Sequence, residues 1–301
     1  MRRSGMRIVS LLPSTTEILF DIGAGDQVVG VTFECDYPAE ARTRKIVSTS
    51  AMPEGLTPTE IDEFVVRAMH AGADLYHLDP GALTGLDADL VVTQDLCAVC
   101  AVDVSVVDDA LNHLGCTAEV LTIDPHTLDE VLESIGTLGE ATSCEDSAAS
   151  LASSLGARLD EVVRRTAGRP APRTLVLEWT DPPFAPGHWV PEMVARAGGV
   201  SVLGVAGEKS FRVTWDDVVS SSPEVIVCAP CGFGLAQSSA LAQDLVTSGV
   251  LPSDVPVWAV DANASFARPG PRLVDGVEAL AGILHPDVVA APAGAMARRI
   301  H

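Results

Sequence analysis

Five of the seven cysteines follow runs that read as β-strands: Cys35, the pair Cys97 and Cys100, and the pair Cys228 and Cys231. CxxC spacing lets two thiolates from one turn reach one metal, and zinc or an iron–sulfur centre takes such ligands in fours. The same spacing ahead of a helix suits a redox dithiol, because a helix N-terminus lowers a thiol pKa. A third reading leaves them as buried or ligand-lining thiols, and the residues alone keep all three open. Cys116 and Cys144 lie elsewhere and read as small core residues. His188, in Pro186-Gly187-His188-Trp189, adds an imidazole able to ligate a metal or hydrogen-bond a ligand.

Aromatic residues make up only 4% of the chain, yet Tyr37, Trp179, Phe184, Trp189, Phe233 and Phe266 all fall in segments just after expected strands. That points to a large, partly apolar ligand; the alternative is that several of them plug the core. The same segments carry Pro13 and Ser14, then Glu34, Asp95 and Leu96, then Gly232 and Asn263. Asp95, Asn263 and His188 would meet polar substituents or a metal. Ser14-Thr15-Thr16-Glu17 has the form of a helix capping box, which makes Glu17 a helix-start residue and not a base. The chain has no Walker loop, no Gly-x-Ser-x-Gly elbow, no His-Glu-x-x-His and no Gly-x-Gly-x-x-Gly after a strand. Binding without catalysis is the expectation.

These segments are positioned by alternating short β-branched runs and helical stretches, the pattern of parallel βαβ construction. Strands are expected at 7–12, 27–33, 89–93, 118–123, 174–178, 224–228 and 255–260, with helices at 101–114, 128–138, 190–197 and 271–284. Ligands of such sheets bind beyond the carboxyl ends of the strands. From Cys144 to Thr166, Ala148, Leu151, Leu155, Leu159 and Val162 recur at helical spacing, and Gly168-Arg169-Pro170 then breaks the run. The expected fold is α/β: two Rossmann-like lobes, residues 1–140 and 169–301, joined by one connector helix over 141–168, with the ligand cleft between the lobes. One continuous sheet is the alternative. Short internal echoes, such as Ala88-Asp89-Leu90-Val91-Val92 and Pro223-Glu224-Val225-Ile226-Val227, favour two lobes.

The chain has 301 residues, 47% of them hydrophobic, enough for a substantial core. Asp and Glu number 41 against 19 Lys and Arg, a net charge of −22 that repels phosphate backbones and anionic membranes. Nucleic acid is thereby excluded as the expected partner. No apolar run approaches the roughly 20 residues of a spanning helix, so no membrane insertion is expected. An odd number of cysteines does not look like a secreted disulfide framework. A cytoplasmic monomer is expected, or an extracytoplasmic one if an upstream leader has been removed.

The residues then resemble a known family, the helical-backbone substrate-binding proteins of ABC importers, and within it the cobalamin-binding branch in a leaderless, cytoplasmic-type form. The similarity runs from Arg7-Ile8-Val9-Ser10-Leu11-Leu12-Pro13-Ser14-Thr15-Thr16-Glu17 to Phe266-Ala267-Arg268-Pro269-Gly270-Pro271-Arg272 and the last helix. It implies two α/β lobes joined by one long helix. Asp36-Tyr37-Pro38 resembles a turn whose tyrosine contacts cobalamin, and Pro182-Pro183-Phe184 resembles a second contact. A tryptophan that covers the ligand in the family would fall near Ser50, and 53–79 looks like an inserted helix and strand. Acidic residues that dock such proteins on a permease would be Asp216 and, more loosely, Glu60. The resemblance therefore implies a non-enzymatic binder of cobalamin, another corrinoid, or a related chelate such as haem or a siderophore. The alternative is a cytosolic cysteine-ligated metal or redox protein using both CxxC pairs.

Overall fold

A computed structural model describes residues 5–71, 73, 75–78, 80–94 and 118–301. Two compact units result: the described residues up to Pro125 with Leu132–Ser153, and His126–Val131 with Ser154–His301. The helix expected over 101–114, together with Asp95, Leu96, Cys97, Cys100 and Cys116, lies outside the described residues.

The first unit contains β1 (Ile8–Ser10), α1 (Pro13–Asp21), β2 (Val28–Val31), β3 (Lys45–Ile46), β4 (Ser48–Ser50), α2 (Pro58–Ala71), β5 (Tyr76–Leu78), α3 (Pro80–Leu83), β6 (Leu90–Thr93) and β7 (Glu119–Thr122). Strands β3-β2-β1-β6-β7 form one parallel sheet in that order. β1 and β6 are buried along their whole length, which is why they read as continuous apolar runs. Val9, Leu11, Val47, Leu78, Leu86 and Val91 pack one face of this sheet. The strand order turns back between β1 and β6, and at such a point the loops beyond the carboxyl ends are free to take a ligand. The segment expected to hold an inserted helix and strand holds α2 and β5, and β5 pairs antiparallel with β4 in a separate ribbon.

Capping of α1 departs from expectation. The helix begins at Pro13, whose missing N–H costs nothing there, and the capping position is Leu12 with no side-chain cap. Ser14 is inside the helix and 2% exposed. Thr15 and Thr16 instead turn their hydroxyls back to the Leu12 carbonyl at 3.2 and 2.9 Å.

The chain then enters α4 (Leu128–Thr142) and α5 (Glu145–Thr166), both of which run across the division between the units. In the first unit Gly139 of α4 lets Ala148 of α5 come so close that a Cβ at 139 would overlap it. Ala148, Leu155, Leu159 and Val162 are buried, so the periodic stripe of α5 is an inward face.

The second unit contains β8 (Arg173–Leu177), β9 (Trp179–Thr180), β10 (Pro183–Ala185), α6 (Val190–Arg196), β11 (Val200–Ser201), β12 (Phe211–Arg212), α7 (Trp215–Ser220), β13 (Val225–Cys228), α8 (Leu235–Ser248), β14 (Val257–Val260), α9 (Ala262–Ser265), α10 (Leu273–Leu284) and β15 (Ala297–Arg299). Its main sheet runs β11-β8-β13-β14-β15, parallel except for β15. Leu175, Leu177, Ile226, Val257 and Leu245 build the core beside it. The segment after β8 is no open loop: β9, β10 and β12 form a small antiparallel sheet, with a cis peptide bond at Asp181–Pro182 in the β9–β10 turn.

Candidate functional site

In the first unit, hydroxyl groups gather where β1 and β2 end. Thr16 Oγ1 donates to Ser10 Oγ at 2.8 Å and stands 3.1 Å from Cys35 Sγ, all of them buried. Cys35 is therefore held among the hydroxyls of Thr16 and Thr32. Just beyond it the surface turns aromatic, with Phe33 37% and Tyr37 44% exposed. Tyr76, from β5, places its ring 5.8 Å from that of Phe33 and donates its hydroxyl to Glu34 Oε2 at 3.3 Å. Pro13 and Ser14, the first residues of α1, are both buried. Gln94, the residue after β6, is 4% exposed.

In the second unit, the small sheet holds the Trp179 ring 5.6 Å from Phe233 and lays the Arg212 guanidinium 5.8 Å over Phe184. Backbone bonds tie the strand ends together: the Cys231 N–H donates to the Glu178 carbonyl and the Asn263 N–H to the Phe233 carbonyl, each at 3.0 Å. Gly232 sits between them at φ 80°, a conformation glycine adopts without strain. Glu178 accepts the Gly187 N–H at 3.1 Å. Burial dominates and lifts its carboxyl to about 7, against the pull of Gly187 and Ser210.

His188 has φ 49°, fixed on both sides: its N–H donates to the Glu208 carbonyl and its own carbonyl accepts from Gly207. The ring lies 6.1 Å from His126 and 5.5 Å from Trp189, and its Nε2 is buried with no hydrogen-bond partner among the described residues. Burial, then the neighbouring His126 and Lys209, hold it below the ordinary histidine pKa, so the imidazole stays neutral with a lone pair available.

Several of the residues expected to contact a ligand are enclosed in this structure. Trp189 and Phe266 are 6% and 3% exposed, and the Trp189 indole donates to the Phe266 carbonyl at 2.7 Å, so both fill the unit's interior. Cys228 is a core residue in full contact with apolar neighbours, its thiol pushed up to about 12, while Cys231 is exposed. Among the described residues, no group of three or more His, Cys, Asp and Glu side chains is placed to hold a metal ion. Glu60 is exposed, but its carboxylate accepts from the Thr57 N–H and hydroxyl and so caps α2. The matching position on α7 is Asp217, which closes a capping box with Thr214; Asp216 is exposed beside it.

Sequence reasoning missed Phe33, Tyr76, Glu178 and Arg212. Phe33 and Glu178 end expected strands, a signal that was present; Tyr76 and Arg212 each reach the aromatic surface of their own unit only through sheet pairing.

A family model described as periplasmic binding protein matches residues 8–251. The chain belongs to that family. Over 299 residues it is 26% identical to an uncharacterized ABC transporter substrate-binding lipoprotein of Bacillus subtilis, covering 95% of this chain and 82% of the relative. It is 25% identical to a vitamin B12-binding protein of Vibrio cholerae over 283 residues, 90% of this chain and 86% of the relative. Among solved structures, a periplasmic haem-binding protein from Pseudomonas aeruginosa superimposes with a TM-score of 0.71 at 18% identity, covering 98% of this chain and 97% of that one. The periplasmic vitamin B12-binding protein of Vibrio cholerae gives 0.65 at 21%, covering 92% and 96%. At such identities the superpositions establish the fold, two α/β units on parallel sheets, and nothing about ligand.

Proposed function

We propose that this periplasmic binding protein family member binds a metal-bearing tetrapyrrole, a corrinoid such as cobalamin first and haem second, and hands it to an ABC permease without transforming it. The observation that carries the reading is where the aromatic side chains stand. In a chain with 4% aromatics, Phe33, Tyr37, Trp179, Phe184 and Phe233 all remain exposed or half-buried beyond the carboxyl ends of parallel strands. Rings in that position suit a broad apolar ligand face. A relative named for binding vitamin B12 supports the corrinoid, and an ABC transporter relative supports the permease.

The residues assigned to the ligand are Glu34 and Tyr37 from the first unit, and Trp179, Phe184, His188, Gly232, Phe233 and Asn263 from the second. His188, neutral and with its Nε2 unpartnered among the described residues, is the side chain assigned to the ligand's metal. Asp216 is assigned to the permease, and Glu60 is less suited because it caps α2. Work with an importer would place the protein outside the cytoplasm, which cell fractionation reads directly. A cysteine-ligated metal or redox role gains nothing from Cys35 and Cys228, which are enclosed.

Titration with hydroxocobalamin, followed by its visible spectrum and by co-elution on gel filtration, tests the assignment. The expected result is saturation at one equivalent, with a spectral shift that His188→Ala removes. Failure to bind either hydroxocobalamin or haemin would discard it.

A further inference from the structure

Two imidazoles of the second unit are held in place by segments far apart in the chain. His188 sits in a turn with little room to shift. A Cβ on Gly187 would overlap the backbone of Glu208 and Ser210, Glu178 takes the Gly187 N–H at 3.1 Å, and the backbone of Gly207 and Glu208 bonds His188 on both sides. His126 stands just before α4, where a capping box fixes it. Glu130 Oε2 accepts the N–H groups of His126 and Thr127 at 2.6 and 3.2 Å, and the Glu130 N–H donates to Thr127 Oγ1 at 3.2 Å. The first residues of α4 are in turn tied to α6: the Leu128 N–H donates to Glu192 Oε2 at 2.6 Å, and Asp129 pairs with Arg196 at 3.0 Å. His126 therefore belongs to the same compact unit as His188.

These anchors set the two ring centres 6.1 Å apart. With zinc–nitrogen bonds of about 2.0–2.1 Å, two imidazoles on one ion have ring centres roughly 5–6.5 Å apart, so one ion fits with little movement of either ring. The pair also has an unmet need. His188 Nε2 is buried and has no hydrogen-bond partner among the described residues, a costly state for a polar atom that a bound ion would relieve. Lys209 is the positive charge whose field reaches His188, and its exposure to solvent screens it. Glu130 and Glu192, which hold the start of α4, carry the opposite sign, as does the chain as a whole at −22. The electrostatic balance around the two rings favours a cation.

We infer that His126 and His188 form a two-imidazole site for a divalent transition-metal ion, taken from solution as the ion itself and not inside a macrocycle. Imidazole nitrogen suits zinc, copper and nickel, whereas magnesium and calcium seek oxygen ligands. Two protein nitrogens leave the remaining coordination positions to water, so the ion is exchangeable. The tetrapyrrole reading assigns the same His188 nitrogen to the ligand's metal, so ion and ligand exclude one another at that atom. The ion site itself goes beyond that reading and stands without it.

Metal-free, reduced full-length protein is titrated calorimetrically with zinc chloride in excess magnesium, as wild type, His126→Gln and His188→Gln. Cys231→Ser and His70→Gln, which alter an exposed thiol and an exposed imidazole elsewhere, serve as controls. Wild type and both controls should bind zinc alike, and each of the two test variants should bind it at least about 10-fold more weakly, since even the loss of a group supporting a metal ligand costs that much. A thermal unfolding midpoint without metal verifies that each variant is folded. Should His188→Gln fail to fold, His126→Gln, at a half-buried position before a helix, decides the matter alone. No zinc binding, or binding that survives both histidine substitutions, would overturn the inference. A second measurement reads the shared nitrogen: saturating zinc should suppress the spectral shift of hydroxocobalamin, and an undiminished shift would likewise overturn it. Zinc binding lost in the histidine variants, with no binding of hydroxocobalamin or haemin, would uphold the ion site and discard the tetrapyrrole reading.

Discussion

Glu178 and His188 are neighbours in the second unit whose titrations act on stability in opposite directions. The Glu178 carboxyl is lifted from 4.5 to about 7, chiefly by burial. Below its ordinary value both folded and unfolded chains hold the proton and stability is full. As pH rises toward 7 the unfolded chain releases it first, so stability falls, and above the folded value it levels off. The loss is at most on the order of 3 kcal/mol, and less because the side chain is partly exposed. Glu178→Gln should flatten the slope of urea-unfolding free energy between pH 5 and 8, since the amide still accepts the Gly187 N–H. An unchanged slope would show that another group titrates there. His188 is lowered from 6.5, so its contribution is present above that value and is lost as pH falls through the lowered one. His188→Asn should therefore reduce acid destabilisation just below neutrality, read by the same titration.

At the scale of elements, close packing decides which glycines can change. Gly136 and Gly156, in α4 and α5, face open space, and a Cβ there would meet nothing within 4 Å. Gly136→Ala and Gly156→Ala should each stabilise by about 0.5–1 kcal/mol, through the chain entropy that glycine brings to a helix. Gly139, one turn from Gly136, is where α4 meets Ala148 of α5, so Gly139→Ala should cost about 1–3 kcal/mol. Chemical denaturation of the three variants checks the contrast, and a stabilised Gly139→Ala would mean that the two helices can separate without loss. Arg158 of α5 bonds Asp275 at 2.5 Å and Glu278 at 2.7 Å on α10. These groups are 37–40% exposed, so Arg158→Ala should cost only about 1 kcal/mol, and less in high salt.

At the scale of the whole molecule, a net charge of −22 makes salt a variable. Raising ionic strength from roughly 0.05 to 0.5 M shortens the screening length and should raise the thermal midpoint by relieving self-repulsion. The same change should speed the association of anionic haemin and leave that of uncharged cyanocobalamin nearly untouched, which stopped-flow mixing would read. Equal salt responses would remove long-range charge from any account of ligand choice. The fold class was legible in the sequence because buried parallel strands must be short, largely apolar runs, and β1, β6, β13 and the Thr174–Leu177 part of β8 are such runs. The α5 stripe was legible for a similar reason, as helical spacing repeats over many residues. The residues just past those strands could be read as candidates for ligand contact from position alone. Their actual exposure could not, because it depends on partners distant in the chain. Trp189 and Phe266 became interior through a bond across 77 residues, and Cys228 was enclosed by strands on either side. The β9–β10 hairpin was hidden by its prolines, and Tyr76 was one residue in an apparent insertion until antiparallel pairing with β4 carried it to Glu34. Local pattern determined which elements form. Only non-local packing decided which of their side chains are left exposed, since burial is a property of the assembled neighbours and not of the residue.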